Sequence, residues 1–239
     1  MENSWHIPKG VNIAFTTRNG GISKAPYASL NLGLHVGDSE ADVLKNRALI
    51  EERLFLPQPP AWLEQIHSTR VVDADNQELC QADGSFSSKR QKVCVVMTAD
   101  CLPVLICDKQ GSEVSAVHAG WRGLCDGIIE VALEKHSAAN SELIAYLGPA
   151  IGPTAFEVGD DVREMFISLH PETAKFFVAV KASKKYLADL QGIARYRLAL
   201  AGVDEVYQSD ACTFNQESDY FSYRRDGVTG RMASFIWLS

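Results

Sequence analysis

Three short runs of apolar and β-branched residues lie close together in the middle of the sequence, at residues 93–97, 103–107 and 114–118. Runs of this kind are typical of buried β-strands. Helical patterns occur on both sides of them, so strands and helices interleave, but without a strict β-α-β alternation. This order predicts an α/β protein with a mixed β-sheet rather than a doubly wound parallel sheet.

The rest of the chain supplies further elements. Ser39 and Asp42 resemble a capping box at the start of a helix. At the C-terminus, Asp226-Gly227 is a turn signal between residues 221–225 and a closing strand at 232–238, which together predict a β-hairpin. The other predicted strands are 11–17, 143–147 and 203–208, and the predicted helices are 41–54, 122–136, 162–169 and 186–200.

The composition is that of a soluble globular protein. Of the 239 residues, 46% are hydrophobic and 22% are charged, which are ordinary values for a folded domain. The net charge of -7 argues against nucleic acid or an anionic membrane as a partner, because both require a basic surface. A small anionic ligand remains compatible with this charge, since a few arginines in one pocket can outweigh the global balance.

Neither a membrane span nor a secretory signal is predicted. The longest nearly uncharged stretch, residues 93–107, is interrupted by Asp100 and is shorter than the roughly 18 apolar residues that a span requires. The N-terminus has no apolar segment of the kind found in signal peptides. The six cysteines form no C-x-x-C pair, which favours reduced thiols in a cytoplasmic protein.

Three segments, residues 64–68, 98–103 and 117–123, carry the side chains best suited to chemistry. Cys101 and His118 each lie at the end of a predicted strand, and His67 ends another candidate strand. Because adjacent strands end at one edge of a sheet, these side chains can meet there. Two imidazoles and a thiolate suit a zinc ion with one open position, where a bound water would have a pKa near ~7. The alternative is a buried cysteine beside two hydrogen-bonded histidines.

The same residues also suit a thiol nucleophile. Cys101 would attack an acyl carbon and His118 would act as the base. Asp100 could orient the histidine only from a turn, because neighbouring residues in a strand point to opposite faces. In the zinc interpretation, Asp100 is instead the candidate for proton transfer or for support of the ligands.

Candidate substrate contacts lie outside these ligands. Arg122 stands at the start of a predicted helix, where free backbone N–H groups favour anions, although it could equally be a surface residue. Arg225 precedes the hairpin turn and is a second candidate for phosphate, with a solvated arginine as the alternative. Asn31 could bind ribose hydroxyls. His35 is more typical of a structural hydrogen-bonding residue than of a ligand.

Motif counts exclude some kinds of chemistry. The six histidines include no H-x-H pair, so they cannot build the trinuclear cluster of a multicopper oxidase, and copper is the less favoured metal. The Gly-rich motifs G-x-G-x-x-G and G-x-x-x-x-G-K-[ST] are absent as well.

The sequence resembles one known family from about Gly10 to Leu238. The motifs that carry the resemblance are NLGLHVGD (31–38), LEQIHS (63–68), MTADCLPVLICD (97–108), AVHAGWRG (116–123), LGPAIGP (147–153) and YFSYRRDG (220–227). They are similar to those of the YfiH-like laccase-domain family. Its bacterial members are also called polyphenol oxidase, purine nucleoside phosphorylase or peptidoglycan editing factor.

The resemblance implies a fold, a site and a range of activities. The fold would be a single layered α/β domain over residues 1–239, similar to the cytotoxic necrotizing factor catalytic fold. The site would hold zinc through His67, Cys101 and His118. The activities would be phosphorolysis of adenosine, inosine and methylthioadenosine, and deamination of adenosine, with purine nucleosides and phosphate as partners.

Two other functions remain open from the sequence. One is a metal-free Cys–His amidase that edits a peptidoglycan precursor. The other is a metal-stabilised protein that binds nucleotides or envelope precursors without turnover.

Overall fold

A computed structural model describes residues 5–76 and 80–239 of the chain. Within these ranges, the helices are α1 (Glu40–Arg53), α2 (Trp121–Asp126), α3 (Ile128–Leu133), α4 (Asp160–Leu169), α5 (Leu190–Leu200) and α6 (Tyr223–Asp226). The strands are β1 (Val11–Phe15), β2 (Val71–Asp73), β3 (Gly84–Ser87), β4 (Val93–Thr98), β5 (Leu102–Asp108), β6 (Val114–Ala119), β7 (Leu143–Leu147), β8 (Glu157–Gly159), β9 (Phe177–Ala179), β10 (Lys185–Ala188), β11 (Glu205–Gln208) and β12 (Met232–Leu238).

The strands form three sheets. The large sheet has the order β11-β7-β5-β6-β3-β2, and it is mixed because β11 runs parallel to β7 and β2 runs parallel to β3 while the central pairs are antiparallel. A small sheet has the order β1-β12-β4 and is antiparallel throughout. A third sheet, β8-β10-β9, is built from short strands. The predicted mixed α/β architecture is therefore confirmed.

Alternating side chains divide the interior into layers. Along β5, Val104 and Ile106 pack toward the helices α2, α3 and α5, whereas Leu105 packs toward the small sheet. Along β4, Val96 packs into that core between the sheets, and Val95 packs outward into the core that contains Ile50 of α1. This two-residue period is the reason why both runs read as buried strands in the sequence.

The chain passes from the small sheet to the large sheet between β4 and β5. The connection contains Ala99, Asp100 and Cys101, and Asp100 adopts a φ of 92°. In the large sheet, Pro103 of β5 pairs with His118 of β6. The crossing therefore brings the cysteine to the edge of the large sheet where β6 also ends.

Several boundaries differ from the sequence-based predictions. The predicted helix 122–136 is divided at Gly127, whose φ of 98° ends α2 and separates it from α3. The predicted helix 186–200 begins only at Leu190, because Asp189 caps it by accepting a hydrogen bond from the Gly192 N–H. The residues before it belong to β10 instead.

The predicted C-terminal hairpin is wrong. Residues 223–226 form the short helix α6, which Ser222 caps by accepting a hydrogen bond from the Arg225 N–H. β12 pairs with β1 and β4, strands that are distant in the sequence. In contrast, the Ser39 cap of α1 is confirmed, because its side chain accepts a hydrogen bond from the Asp42 N–H.

No helix in the described ranges is both long enough and apolar enough to span a membrane. All six cysteines lie within these ranges, and no disulfide joins any two of them.

Candidate metal centre

The structure brings His67, Cys101 and His118 together. One potential ligand atom from each of the three side chains lies within 4.8 Å of the others. Cys101 Sγ is 3.9 Å from His67 Nε2, and the two imidazole rings meet edge to face with their centroids 4.9 Å apart. His118 is buried, Cys101 is half-buried and His67 is exposed. The cluster thus opens to solvent on the side of His67.

Asp83 fixes the position of His118. The His118 Nδ1–H donates to Asp83 Oδ1 at 2.8 Å, and the His118 backbone N–H donates to the Asp83 carbonyl at 2.7 Å. Both side chains are almost fully buried. Because Nδ1 is occupied, Nε2 is the imidazole nitrogen left for a metal ion. A carboxylate behind a ligating histidine in this way sets its tautomer and ring orientation.

The same carboxylate holds the loop that carries His67. Asp83 Oδ1 accepts a hydrogen bond from the His67 N–H at 3.0 Å. Asp83 Oδ2 accepts from the Ile66 N–H at 3.2 Å and from the Ser68 N–H at 2.6 Å. His67 has a φ of 61° and belongs to this loop rather than to a strand, so the candidate strand that it was expected to end is absent there.

Asp100 holds the turn on which Cys101 lies. Its carboxylate accepts hydrogen bonds from Thr213 Oγ1 at 2.7 Å, from Ser222 Oγ at 3.0 Å and from the Arg224 N–H at 2.7 Å. Its φ of 92° is unusual for a residue with a side chain. These three bonds stabilise that conformation, so Asp100 positions the thiol. It does not orient the histidine, which is the role of Asp83.

Gly120 leaves space for the cluster. A Cβ at this position would lie 3.0 Å from His67 Cδ2, 3.2 Å from Cys101 Sγ and 3.6 Å from His118 Cε1. A side chain here would therefore occupy the space between the three ligands. The glycine follows β6 directly and comes just before α2.

The electrostatics favour a thiolate in the cluster. Burial alone would raise the pKa of Cys101, but His118 and His67 lower it to about 6. Burial would lower the pKa of His118, but Cys101 and Asp83 raise it to about 9. Burial likewise opposes ionisation of Asp83, yet its hydrogen bonds with His118 and Ser68 lower its pKa to about 2. A thiolate is the form of cysteine that binds metal ions.

These features fit a zinc ion. Two imidazole nitrogens and a thiolate form a borderline-soft donor set. Asp83 provides the partner that a ligating histidine normally has, and Gly120 keeps the space between the donors free. Among the described residues, no fourth histidine, cysteine or carboxylate joins the group. A tetrahedral ion held here would keep one position for a reactant.

A family model described as multi-copper polyphenol oxidoreductase laccase matches residues 12–239. The chain belongs to this laccase-domain family.

Curated relatives agree with this assignment. The purine nucleoside phosphorylase YfiH of Escherichia coli is 48% identical over 236 residues, which is 98% of this chain and 96% of the relative. The purine nucleoside phosphorylase of Haemophilus influenzae is 49% identical over 239 residues, 98% of this chain and 97% of the relative. The family resemblance seen in the sequence is thereby confirmed.

Solved structures of laccase-domain relatives share the whole fold. A Neisseria meningitidis protein superposes with a TM-score of 0.95 at 47% identity, covering 99% of this chain and 97% of that protein. YlmD from Geobacillus stearothermophilus superposes with a TM-score of 0.88 at 33% identity, covering 96% and 92%.

Two of the residues predicted to bind substrate in this laccase-domain protein are engaged within the chain. Asn31 is 0% exposed, and its side chain bonds Gly33, Asp38 and the Arg231 N–H. These bonds shape its own loop, and ribose binding by Asn31 remains a prediction. Arg225 donates to the carbonyls of Thr213, Phe214 and Tyr220 and pairs with Asp226. Phosphate binding by Arg225 also remains a prediction, and it would require phosphate to compete with these partners.

Arg122 is exposed, and its guanidinium lies 4.4 Å from the Trp121 ring centroid. The helix that it begins is only six residues long. Anion binding by Arg122 remains a prediction.

Asp83 and two arginines near the metal centre of this laccase-domain protein were not predicted from the sequence. Asp83 lies in an Ala-Asp-Gly segment, which looks like an ordinary turn. Arg47 and Arg231 look like the solvated arginines of a helix and a loop. His35 lies at the surface with its imidazole partly covered, and this partial burial, followed by Arg231 and Arg47, lowers its pKa. No local pattern identifies these residues, because their roles depend on long-range contacts.

Proposed function

We propose that this laccase-domain protein is a zinc-dependent purine nucleoside phosphorylase that also deaminates adenosine. Its substrates would be adenosine, inosine and methylthioadenosine, together with phosphate, and it would act in the cytoplasm. The observation that carries the proposal is the open cluster of His67, Cys101 and His118 backed by Asp83. The names of the bacterial relatives support the phosphorylase activity.

When bound, zinc would supply a Lewis acid at the open side of the cluster. The protein's own residues hold the site in place. Asp83 fixes the ring of His118 and the loop of His67, and Asp100 fixes the turn of Cys101. Donors held this rigidly need little reorganisation during the reaction, which lowers the barrier.

In phosphorolysis, a phosphate oxygen forms a bond to C1′ of the ribose as the bond from C1′ to the base breaks. The base leaves with the bonding electrons and takes up a proton, which gives a free base and ribose 1-phosphate. The transition state has cationic character at the sugar, so the placement of an anion beside C1′ supplies much of the rate enhancement. In deamination, water adds at C6 of adenosine and ammonia leaves.

Metal analysis combined with product analysis tests this proposal. We expect untagged protein to contain about one zinc ion per chain, to form adenine and ribose 1-phosphate from adenosine with phosphate, and to form inosine without phosphate. His67→Ala should lose the zinc and both activities but stay soluble, since a core of this size does not depend on one ion. Full zinc occupancy in His67→Ala would show that the ligand is misassigned, and ligand binding without turnover in the wild type would contradict an enzyme.

A second candidate function is a metal-free amidase acting on a peptidoglycan precursor. The observation in its favour is that Cys101, His118 and Asp83 also have the order of a nucleophile, a base and an orienting acid. Exhaustive chelation separates the two proposals. Activity that survives chelation but is lost on alkylation of Cys101 supports the amidase, whereas activity that zinc restores after chelation supports the phosphorylase.

A further inference from the structure

Arg47 and Arg231 both contact the loop that carries His35. The Arg47 Nε–H and Nη2–H both donate to the Leu32 carbonyl, at 3.0 Å and 2.9 Å. A Cβ at Gly33 would lie 2.8 Å from Arg231 Cγ, so the Arg231 side chain packs directly on the loop backbone. The two guanidinium groups and the His35 imidazole therefore belong to one local assembly.

This assembly lies beside the metal centre. Arg231 directly precedes β12, whose first residue, Met232, pairs with Thr98 just before the turn that holds Cys101. Burial lowers the pKa of Arg231, whereas the negative charges of Cys101 and Asp100 raise it, so the guanidinium lies near enough to both groups to interact with their charges.

Arg47, which lies on α1, contacts β4 close to the turn that carries Cys101. Its Nη2 lies 3.8 Å from Met97 Sδ. Gln65 bonds both backbone groups of Met97, which ties the loop of His67 to β4 at this point. The guanidinium of Arg47 also lies 3.8 Å from the ring centroid of Trp62, so it is held flat in a fixed position.

Neither arginine forms an ion pair among the described residues, and Glu51, four residues after Arg47 on α1, raises the pKa of Arg47 against the larger effect of burial without pairing with it. No carboxylate in residues 5–76 and 80–239 forms an ion pair with either arginine. In the same ranges, three guanidinium nitrogens have no hydrogen-bond partner, namely Nε and Nη2 of Arg231 and Nη1 of Arg47. Burial lowers the pKa of Arg47 to about 10, which leaves it cationic at neutral pH. Half-buried positive charge without a direct ion pair is costly, and a bound anion would offset that cost.

We propose that Arg231, Arg47 and His35 form the inorganic phosphate subsite of the enzyme. The inference rests on the proposed phosphorylase function and names the residues that place its second substrate. The planar guanidinium fork matches two phosphate oxygens at once. The acidic groups nearby do not fill the space, since Asp100 is bonded to Thr213 and Ser222, and Glu64 is exposed.

Kinetics and binding of the zinc-loaded protein test this subsite. We expect Arg231→Gln and Arg47→Gln each to raise the KM for phosphate in inosine phosphorolysis by at least about tenfold. Calorimetry with inorganic phosphate alone should show the same loss of affinity. Adenosine deamination without phosphate should change by less than about twofold. Arg231→Lys and Arg47→Lys keep the charge without the fork, so their KM values should fall between those of the wild type and the glutamine variants.

The following controls distinguish a failure of the phosphate subsite from a failure of the proposed function. Arg195→Gln, on α5, should match the wild type, and zinc content and melting temperature should be equal in all variants used for the comparison. An unchanged KM for phosphate in both glutamine variants, or in the lysine variants if a glutamine variant does not fold, overturns the subsite. A raised KM in Arg122→Gln alone assigns phosphate to Arg122 instead. Equal losses of phosphorolysis and deamination in the Arg231 and Arg47 variants also overturn the phosphate subsite. A wild-type protein that neither binds phosphate nor cleaves inosine refutes the proposed function itself.

Discussion

The two ends of β6 each contact a histidine with an acid and a possible nucleophile beside it. At one end, His118 lies between Asp83 and Cys101. At the other end, His136 Nε2 is 3.0 Å from Ser115 Oγ, and His136 Nδ1 is 3.7 Å from Glu113 Oε2. By residue type alone, both groups could be catalytic.

Their geometry and access differ. His118 has a direct hydrogen bond with its acid, and its cluster opens to solvent through His67. His136 is buried, its Nδ1 has no hydrogen-bond partner, and Glu113 instead accepts hydrogen bonds from the Ser137 and Ala138 N–H groups. The pKa of His136 is accordingly lowered to about 4 by burial, whereas that of His118 is raised to about 9 against the opposing effect of burial, by Cys101 and Asp83.

The difference teaches that a histidine, an acid and a nucleophile make a site only where the acid bonds the imidazole and a reactant can enter. The group around His136 meets neither condition. It connects β6 to the segment after α3 and is part of the core.

The largest effect on activity is expected from a comparison of the two candidate nucleophiles, Cys101 and Ser115. Cys101→Ala should lose zinc and reduce phosphorolysis by at least about 100-fold, more than the loss of a partner behind a ligand. Ser115→Ala should keep the zinc and keep its activity within about twofold. Zinc content by mass spectrometry and the initial rate with inosine measure both variants. A comparable loss of activity in Ser115→Ala would break the distinction.

The next effect is a loss of stability at acid pH, which follows from a lowered histidine pKa, as in His136, and not from a raised one, as in His118. The pKa of His136 is about 4 in the folded protein and about 6.5 when unfolded. Its neutral form therefore contributes full stability above about pH 6.5, and this contribution is lost as the pH falls toward 4. The loss in the free energy of unfolding amounts to ~3 kcal/mol. Urea unfolding at pH 7 and pH 4.5 should show a smaller change for His136→Gln than for the wild type. An identical pH dependence would contradict a neutral buried imidazole.

The smallest of these effects compares the two acids. Asp83→Asn should weaken zinc binding by about 10- to 100-fold, because it removes the carboxylate that orients His118. Glu113→Gln should leave zinc affinity unchanged and cost about 1 kcal/mol of stability through its weakened backbone contacts. Competition with a coloured zinc chelator measures the first quantity and urea unfolding the second. Equal zinc affinities in the two variants would remove the special role of Asp83.

Part of this arrangement could be predicted from the sequence. The runs at 93–97, 103–107 and 114–118 alternate between two cores, so they read correctly as buried strands. Cys101 directly precedes β5 and His118 lies near the end of β6, and these strands are antiparallel neighbours, so the predicted meeting of the two residues at one edge of the sheet is confirmed. The division of the helix at Gly127 also had a local signal in Asp126-Gly127, a pair typical of turns.

The remaining features depend on contacts that no local pattern encodes. Asp83 bonds residues that precede β2 and a residue that ends β6, and these meet only when the large sheet has formed. Arg47 of α1 and Arg231, just before β12, both contact the loop that carries His35, although they are far apart in the sequence. The predicted hairpin is wrong for the same reason, because the partners of β12 are β1 and β4 rather than its neighbour in the chain.

The crossing of the chain between β4 and β5 has a mechanical consequence. Arg231 and Arg47 are anchored in the small-sheet layer, while His118 is anchored in the large one. In the proposed enzyme, the distance between the phosphate and the metal ion would therefore depend on how the small sheet and the large sheet pack against each other. Leu105 and Ile236, which pack in the core between the sheets, contact no reactant, yet their volumes help to set that distance.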